Sequence, residues 1–191
     1  MKGFSACIEM LFAPETDDLV QRIHLARDAG FSQVEFWRWS NKDLDEVERA
    51  LDETGVRLAG IVAEPFAELT RQDDHDRFLA GLEQSRDVAI RLGAPILICQ
   101  SGPLLAGLDR PRQHEALTIA MARSAEMLKG SGVRLGLEPL NDRVDHPGYY
   151  LTSTQEGLDI VAAVNRPEIG ITYDLYHSMV MGEDPEAVIA G

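Results

Sequence analysis

Val133-Arg-Leu-Gly-Leu-Glu138-Pro-Leu-Asn141 opens the stretch of sequence that decides the fold, and Ile169-Gly-Ile-Thr-Tyr-Asp174-Leu-Tyr-His177 closes it. Each segment is an apolar, strand-like run that ends on a carboxylate. Between them, Ser153-Thr-Gln-Glu156 predicts a capping box, and the apolar residues that follow it recur at helical spacing. A strand, a helix and a second strand in this order join parallel neighbours in one sheet.

The two carboxylates at the ends of these runs are the first candidates for a functional site. Neighbouring parallel strands lie about 4.8 Å apart, so Glu138 and Asp174 are expected to leave the sheet at the same edge. Two carboxylates so close repel each other unless a positive charge lies between them, and a divalent cation is the usual solution. The alternative is that each acid caps the next helix or pairs with an arginine. His177, three residues after Asp174, favours the metal site.

Composition excludes several other kinds of protein. The chain has 191 residues with 18 Lys and Arg against 32 Asp and Glu, a net charge of −14, which argues against a nucleic-acid partner because phosphate contacts need a basic face. No apolar run approaches the roughly 20 residues of a membrane span, and the N-terminus lacks a signal-peptide pattern. Cys7 and Cys99 lie in apolar runs and are predicted to be buried free thiols. The expected location is the cytoplasm.

Strand and helix patterns alternate along the whole chain. Further strands are predicted at residues 4–8, 33–37, 57–62 and 95–99. Helices are predicted at residues 17–29, between an Asn41 cap and a Gly55 stop, at 74–92, from Pro111 onward, and, as the sixth, from Asp184 onward. The sequence therefore contains six strand–helix units.

Strict alternation of this kind indicates either an open doubly wound sheet or a TIM-type (β/α) barrel. No glycine-rich nucleotide-binding motif follows the first strand, so a dinucleotide- or nucleoside-triphosphate-binding fold has no support. The barrel is favoured because polar residues follow several strands, and these strand ends line the active-site mouth of a barrel; they are Glu9, Glu35, Gln100, Glu138 and Asp174. A full barrel takes about 250 residues, so residues 1–191 are predicted to form a single barrel domain truncated after six units, without strands seven and eight.

Four segments together resemble the hydroxypyruvate isomerase family of the xylose isomerase-like barrel superfamily, also described as AP endonuclease family 2. They are Phe4-Ser-Ala-Cys-Ile-Glu-Met-Leu-Phe12, Gly30-Phe-Ser-Gln-Val-Glu-Phe36, Leu137-Glu-Pro-Leu-Asn141 with Asp145-His-Pro-Gly148, and Tyr173-Asp-Leu-Tyr-His177. The resemblance covers the whole chain. The Glu-Pro-x-Asn and Tyr-Asp-x-Tyr-His motifs are specific to this group in combination.

The resemblance implies a role for four residues. Glu138 is similar to the family's catalytic glutamate and metal ligand, and Asp174 is similar to a second metal ligand. His177 resembles the histidine that contacts substrate oxygens beside the metal, and Glu35 matches a glutamate expected to bind substrate. The implied cofactor is a divalent metal, Mg²⁺ or Mn²⁺. The family takes two further ligands from strands seven and eight, so the metal site is expected to be incomplete in this chain.

The implied reaction is the isomerisation of hydroxypyruvate to tartronate semialdehyde through an enediolate, as in glyoxylate and carbohydrate metabolism. Such a reaction needs a base and a positive charge near the developing oxyanion. One alternative is a sugar epimerase or 2-oxo-tetronate isomerase of the same superfamily, with a small hydroxy-carbonyl acid or sugar as substrate in each case. Another is a non-catalytic barrel module, truncated or completed by a partner. An open seam would expose apolar surface, so self-association into a homo-oligomer is expected.

Overall fold

The computed structural model describes residues 3–190, and its core is one sheet of six strands in the order β1 to β6. Every neighbouring pair is parallel. The strands are β1 (Ser5–Cys7), β2 (Gln33–Glu35), β3 (Arg57–Val62), β4 (Ile96–Gln100), β5 (Arg134–Glu138) and β6 (Ile169–Ile171). This sequential, all-parallel order is that of a TIM-type α/β fold, as predicted, and β1 and β6 form the edges of the sheet within the described residues.

Seven α-helices connect and follow the strands in residues 3–190. They are α1 (Leu19–Asp28), α2 (Leu44–Thr54), α3 (His75–Leu92), α4 (Arg110–Leu128), α5 (Thr154–Val164), α6 (Leu175–Met181) and α7 (Pro185–Ala190). A short 3₁₀ turn, Gln72–Asp74, leads into α3. The glycine stop signals of α2 and α3 are confirmed, because Gly55 and Gly93 both adopt the left-handed conformation that ends a helix, with φ of 68° and 71°.

The two faces of the sheet have different surroundings because side chains alternate along a strand. Leu97 and Leu137 point towards the helices and are fully buried in the core. Ile96, Ile98 and Arg134 line the other face, a trough of about 460 Å³. This face of the sheet would be the interior of a closed barrel. Cys7 and Cys99 are both free thiols, as predicted, and Cys99 is buried. The prediction that Cys7 is buried was wrong, because Cys7 ends the edge strand β1 and is only half-buried.

The N-cap of α2 was predicted wrongly. Asp43, two residues beyond the predicted Asn41, caps the helix, and its Oδ1 accepts hydrogen bonds from the backbone N–H groups of Asp45 and Glu46. Asn41 instead accepts a hydrogen bond from the Lys42 ammonium. Asn and Asp are equally good caps, so composition does not separate the two positions.

The predicted capping box before α5 is half right. Ser153 Oγ accepts a hydrogen bond from the Glu156 backbone N–H at 3.3 Å. The Glu156 carboxylate, however, accepts from Arg110 at 2.5 Å and from the Tyr150 hydroxyl at 2.8 Å. The reciprocal bond is replaced because a guanidinium and a phenol are stronger partners for a carboxylate than one backbone N–H group.

A helix that the sequence did not predict follows β6. Asp174 is the N-cap of α6, so His177 lies in the first turn of a helix and not at a strand end. The helix predicted from Asp184 is therefore α7. With only seven residues, α6 is too short to show an apolar repeat. The alternative that Asp174 caps the following helix is what the structure shows.

Candidate active site

The carboxyl edge of the sheet brings together three of the predicted acidic residues. Glu35 ends β2, Glu138 ends β5, and Asp174 follows β6 by three residues. Burial raises the pKa of the Glu138 carboxyl to about 7, and the charges of Asp174 and Glu35 add to the shift. The three side chains therefore lie within electrostatic reach of one another.

Glu35 is subject to the same effects. Burial raises the pKa of its carboxyl, and the charge of Asp174 raises it further. The hydroxyl of the neighbouring Ser5 acts in the opposite direction and lowers the pKa of Glu35. Its distance or angle falls outside ordinary hydrogen-bond geometry within residues 3–190. Two glutamates whose carboxyl pKa is raised face one aspartate, and this cluster carries excess negative charge.

The end of β5 is held in place by a buried tyrosine. The Tyr149 hydroxyl donates to the Glu138 carbonyl at 3.2 Å and accepts from the Ser101 N–H at 2.7 Å. It thereby joins the ends of β4 and β5. Burial raises the pKa of this phenol, which remains a neutral donor. Only the backbone of Glu138 is bound in this way, and within residues 3–190 its carboxylate accepts no hydrogen bond.

Asp174 serves partly as a helix cap, which was the alternative to a metal ligand. Its Oδ1 accepts a hydrogen bond from the His177 backbone N–H at 3.1 Å. In the described part of the chain, Oδ2 has no hydrogen-bond partner. The cap fixes the side chain and leaves one oxygen free for a ligand.

His177 packs against the loop that follows β5. Its Nδ1 lies 3.2 Å from the Asn141 backbone nitrogen and 2.7 Å from the Asn141 side-chain amide. The His146 and Tyr176 rings flank the imidazole, with centroid distances of 5.4 and 5.3 Å. The fold thus places His177 against the loop that follows Glu138 and binds it there through Asn141.

One residue of the mouth was not predicted from the sequence, and another has a role different from the predicted one. Asn141 lies in the Glu-Pro-Leu-Asn motif and is fully buried, and this motif was the available signal for it. Glu9, predicted to line the mouth, instead forms an ion pair with Lys42 at 2.8 Å and accepts from the Trp37 N–H. Both charged side chains of that pair are mostly buried. Glu9 therefore links the loop after β1 to the loop after β2.

The fit of a metal depends on the donors that converge at this edge. Within residues 3–190, no three His, Cys, Asp or Glu side chains form a ready-made metal cluster. Glu138 and Asp174 nevertheless offer unpaired carboxylate oxygens, and Asp174 contributes to the raised pKa of Glu138. A hard cation such as Mg²⁺ binds through one or two carboxylates and completes its shell with water or substrate. The donor set therefore fits a hard divalent ion.

A parallel TIM-type sheet with acidic residues at its carboxyl edge defines a β/α-barrel protein with a site at the strand ends. Residues 23–190 match the family model described as xylose isomerase-like TIM barrel, and the chain belongs to this family. The family predicted from the motifs is thereby confirmed. Within residues 3–190, every helix is too short or too polar to span a bilayer.

Two curated relatives and one solved structure illustrate the similarity. The chain is 30% identical over 190 residues to a human protein named putative hydroxypyruvate isomerase, covering 93% of this chain and 68% of the relative. It is 29% identical over 188 residues to hydroxypyruvate isomerase of Escherichia coli strain K12, covering 95% and 72%. A crystal structure named AP endonuclease, family 2, from Brucella melitensis superimposes with a TM-score of 0.86 at 27% identity, covering 98% of this chain and 74% of that one.

Proposed function

We propose that this chain is a metal-dependent isomerase of small hydroxy-carbonyl acids, with hydroxypyruvate as its substrate and tartronate semialdehyde as its product. The observation that carries the proposal is the Glu138 carboxylate, which is half-buried at the mouth, free of hydrogen-bond donors within residues 3–190, and close to Asp174. The names of the human and E. coli relatives support the same reaction class.

The chemistry requires moving a proton between two adjacent carbon atoms. A base removes a proton from the carbon next to a carbonyl, the electrons form an enediolate, and the proton returns one carbon over. Glu138 is the base in this proposal, because its carboxylate has no competing donor and faces the mouth. The buried Tyr149 donates a hydrogen bond to its backbone carbonyl.

Glu138 and Asp174 are the residues that would hold Mg²⁺ or Mn²⁺. When bound, the ion supplies positive charge to the oxygen atoms on which negative charge develops. The remaining contacts come from the chain itself: His177 donates a hydrogen bond to a substrate oxygen, and Glu35 binds a substrate hydroxyl. Preorganised donors of this kind contribute most where the reaction builds charge.

The test is hydroxypyruvate turnover in Mn²⁺ or Mg²⁺, comparing the wild type with Glu138→Gln. We expect the variant to lose about 10²- to 10⁴-fold in kcat, the usual contribution of a general base, while circular dichroism stays unchanged. Glu126→Gln is the matched control, because Glu126 lies on α4 in an exposed ion pair with Arg166. Near-normal turnover by Glu138→Gln would overturn the role of this residue.

A substrate panel under identical metal conditions tests the choice of substrate. The panel contains hydroxypyruvate, a 2-oxo-tetronate and a ketohexose for epimerisation. Preferred turnover of hydroxypyruvate supports the proposal. Preference for either of the other two compounds would replace hydroxypyruvate by another substrate of the superfamily, and no turnover of any compound would favour a non-catalytic module.

A further inference from the structure

The protonation of His177 can be read from two donors that face its ring, one from the backbone and one from a side chain. The Asn141 backbone N–H lies 3.2 Å from His177 Nδ1. A backbone N–H group can only donate, so Nδ1 must accept. A neutral imidazole that accepts at Nδ1 carries its proton on Nε2.

The side chain of Asn141 leads to the same assignment. Its Oδ1 accepts from the backbone N–H groups of Val144 at 2.9 Å and Asp145 at 3.0 Å, which fixes which end of the amide is oxygen. The Nδ2 group then faces the Asp145 carboxylate and His177 Nδ1, each at 2.7 Å. Two donors from Asn141 therefore converge on one imidazole nitrogen.

We propose that Asn141 is a positioning residue that holds His177 as the Nε2–H tautomer, with Nε2–H as a hydrogen-bond donor at the mouth. The assignment also excludes His177 as a metal ligand, because Nδ1 is occupied by two donors and Nε2 has no free lone pair. That the Nε2–H group donates to a substrate oxygen rests on the proposed isomerase function. The assignment of the tautomer does not depend on that function.

The surroundings keep the ring in this orientation. Asn141 is fully buried, so solvent does not compete for its amide. The Tyr176 hydroxyl donates to Asp145 Oδ2 at 2.8 Å, which holds the carboxylate that in turn accepts from Asn141 Nδ2. A chain of hydrogen bonds thus runs from Tyr176 through Asp145 and Asn141 to His177. A preorganised donor costs no rearrangement when negative charge develops on a substrate oxygen.

The experiment is long-range ¹H–¹⁵N NMR of the histidine side chains in alkaline buffer, without metal or substrate. His177→Gln assigns the signals by their loss. We expect a protonated Nε2 and an unprotonated Nδ1 in the wild type. In Asn141→Asp, which keeps the oxygen that binds the loop, the side-chain donor is lost and only the backbone N–H still faces Nδ1. We therefore expect part of the His177 population to shift to the Nδ1–H tautomer. His146→Gln is the control, since it removes a flanking ring and leaves these hydrogen bonds intact.

A wild-type His177 protonated on Nδ1 would overturn the proposal, and this result needs no variant to fold. An unchanged tautomer in a folded Asn141→Asp protein would overturn the role of Asn141. In turnover assays, we expect Asn141→Asp to lower kcat by about 10- to 100-fold with little change in KM, because the contact strengthens only in the transition state. Absence of turnover in the wild type would refute the isomerase function and leave the tautomer to be judged by NMR alone.

Discussion

Replacing Tyr149 by Phe removes one hydroxyl group at the point where the site meets the sheet. This hydroxyl accepts from the Ser101 N–H and donates to the Glu138 carbonyl. Both Tyr149 and Ser101 are buried, so water cannot take the place of the lost oxygen. The substitution therefore leaves a buried backbone donor without a partner and frees the end of β5.

The expected cost follows from these two hydrogen bonds. An unsatisfied buried donor costs about 1–3 kcal/mol, and the lost bond to the Glu138 carbonyl adds about 0.5–1.5 kcal/mol. We expect Tyr149→Phe to lower the free energy of unfolding by about 2–4 kcal/mol. Because the backbone of Glu138 loses its anchor, kcat should also fall while the fold is retained.

Urea denaturation followed by circular dichroism measures the change, with Tyr150→Phe as the matched control. Tyr150 is also buried, but its hydroxyl donates to Glu156, which keeps Arg110 and His114 as partners. No group is orphaned there, and we expect a loss of about 1 kcal/mol. If Tyr149→Phe costs no more than Tyr150→Phe, the bridging role of the Tyr149 hydroxyl is refuted.

Three further predictions concern the frame around the site. Burial alone would raise the pKa of the Glu183 carboxyl, but hydrogen bonds from Thr154 and Ser178 lower it below its usual range. The resulting stabilisation of the fold is complete above a pH of about 4.3 and is lost as the pH falls through the folded pKa. Glu183→Gln should therefore flatten the acid limb of a plot of unfolding free energy against pH, and an unchanged limb would contradict this. Asp43→Ala should lower the free energy of unfolding by about 1 kcal/mol, because Asp43 caps α2, and Asn41→Ala should lower it much less. Thermal melts in which Asn41→Ala is the less stable variant would refute the assignment of the cap. The exposed trough should make the chain self-associate, which sedimentation at several concentrations measures; a monomer at all of them would contradict it.

The sheet could be predicted from the sequence because its signals are local. Alternating apolar runs placed five of the six strands within two residues of their ends, and Gly55 and Gly93 marked the ends of two helices. Parallel order then followed from strand–helix alternation. The position of Glu138 at a strand end needed only these signals.

The contacts within the site could not be predicted because they join distant residues through irregular loops. Asn141 and His177 are 36 residues apart, and their contact depends on the turn after β5 and on a helix, α6, too short for a periodic pattern. Tyr149 reaches Ser101 across 48 residues. Asp174 shows a related difficulty, since the same residue type suits a helix cap and a metal ligand, and the structure uses it as a cap while leaving one oxygen free.

Calorimetric titration of the chain with Mn²⁺ tests the central claim most directly, with Glu138→Gln alongside. Glu138 and Asp174 at the ends of β5 and β6 are the proposed ligands. We expect the wild type to bind Mn²⁺ and the variant, in which one carboxylate becomes an amide, to lose that binding. Absence of binding in the wild type, or equal binding in both proteins, would contradict a metal-dependent site at this edge of the sheet.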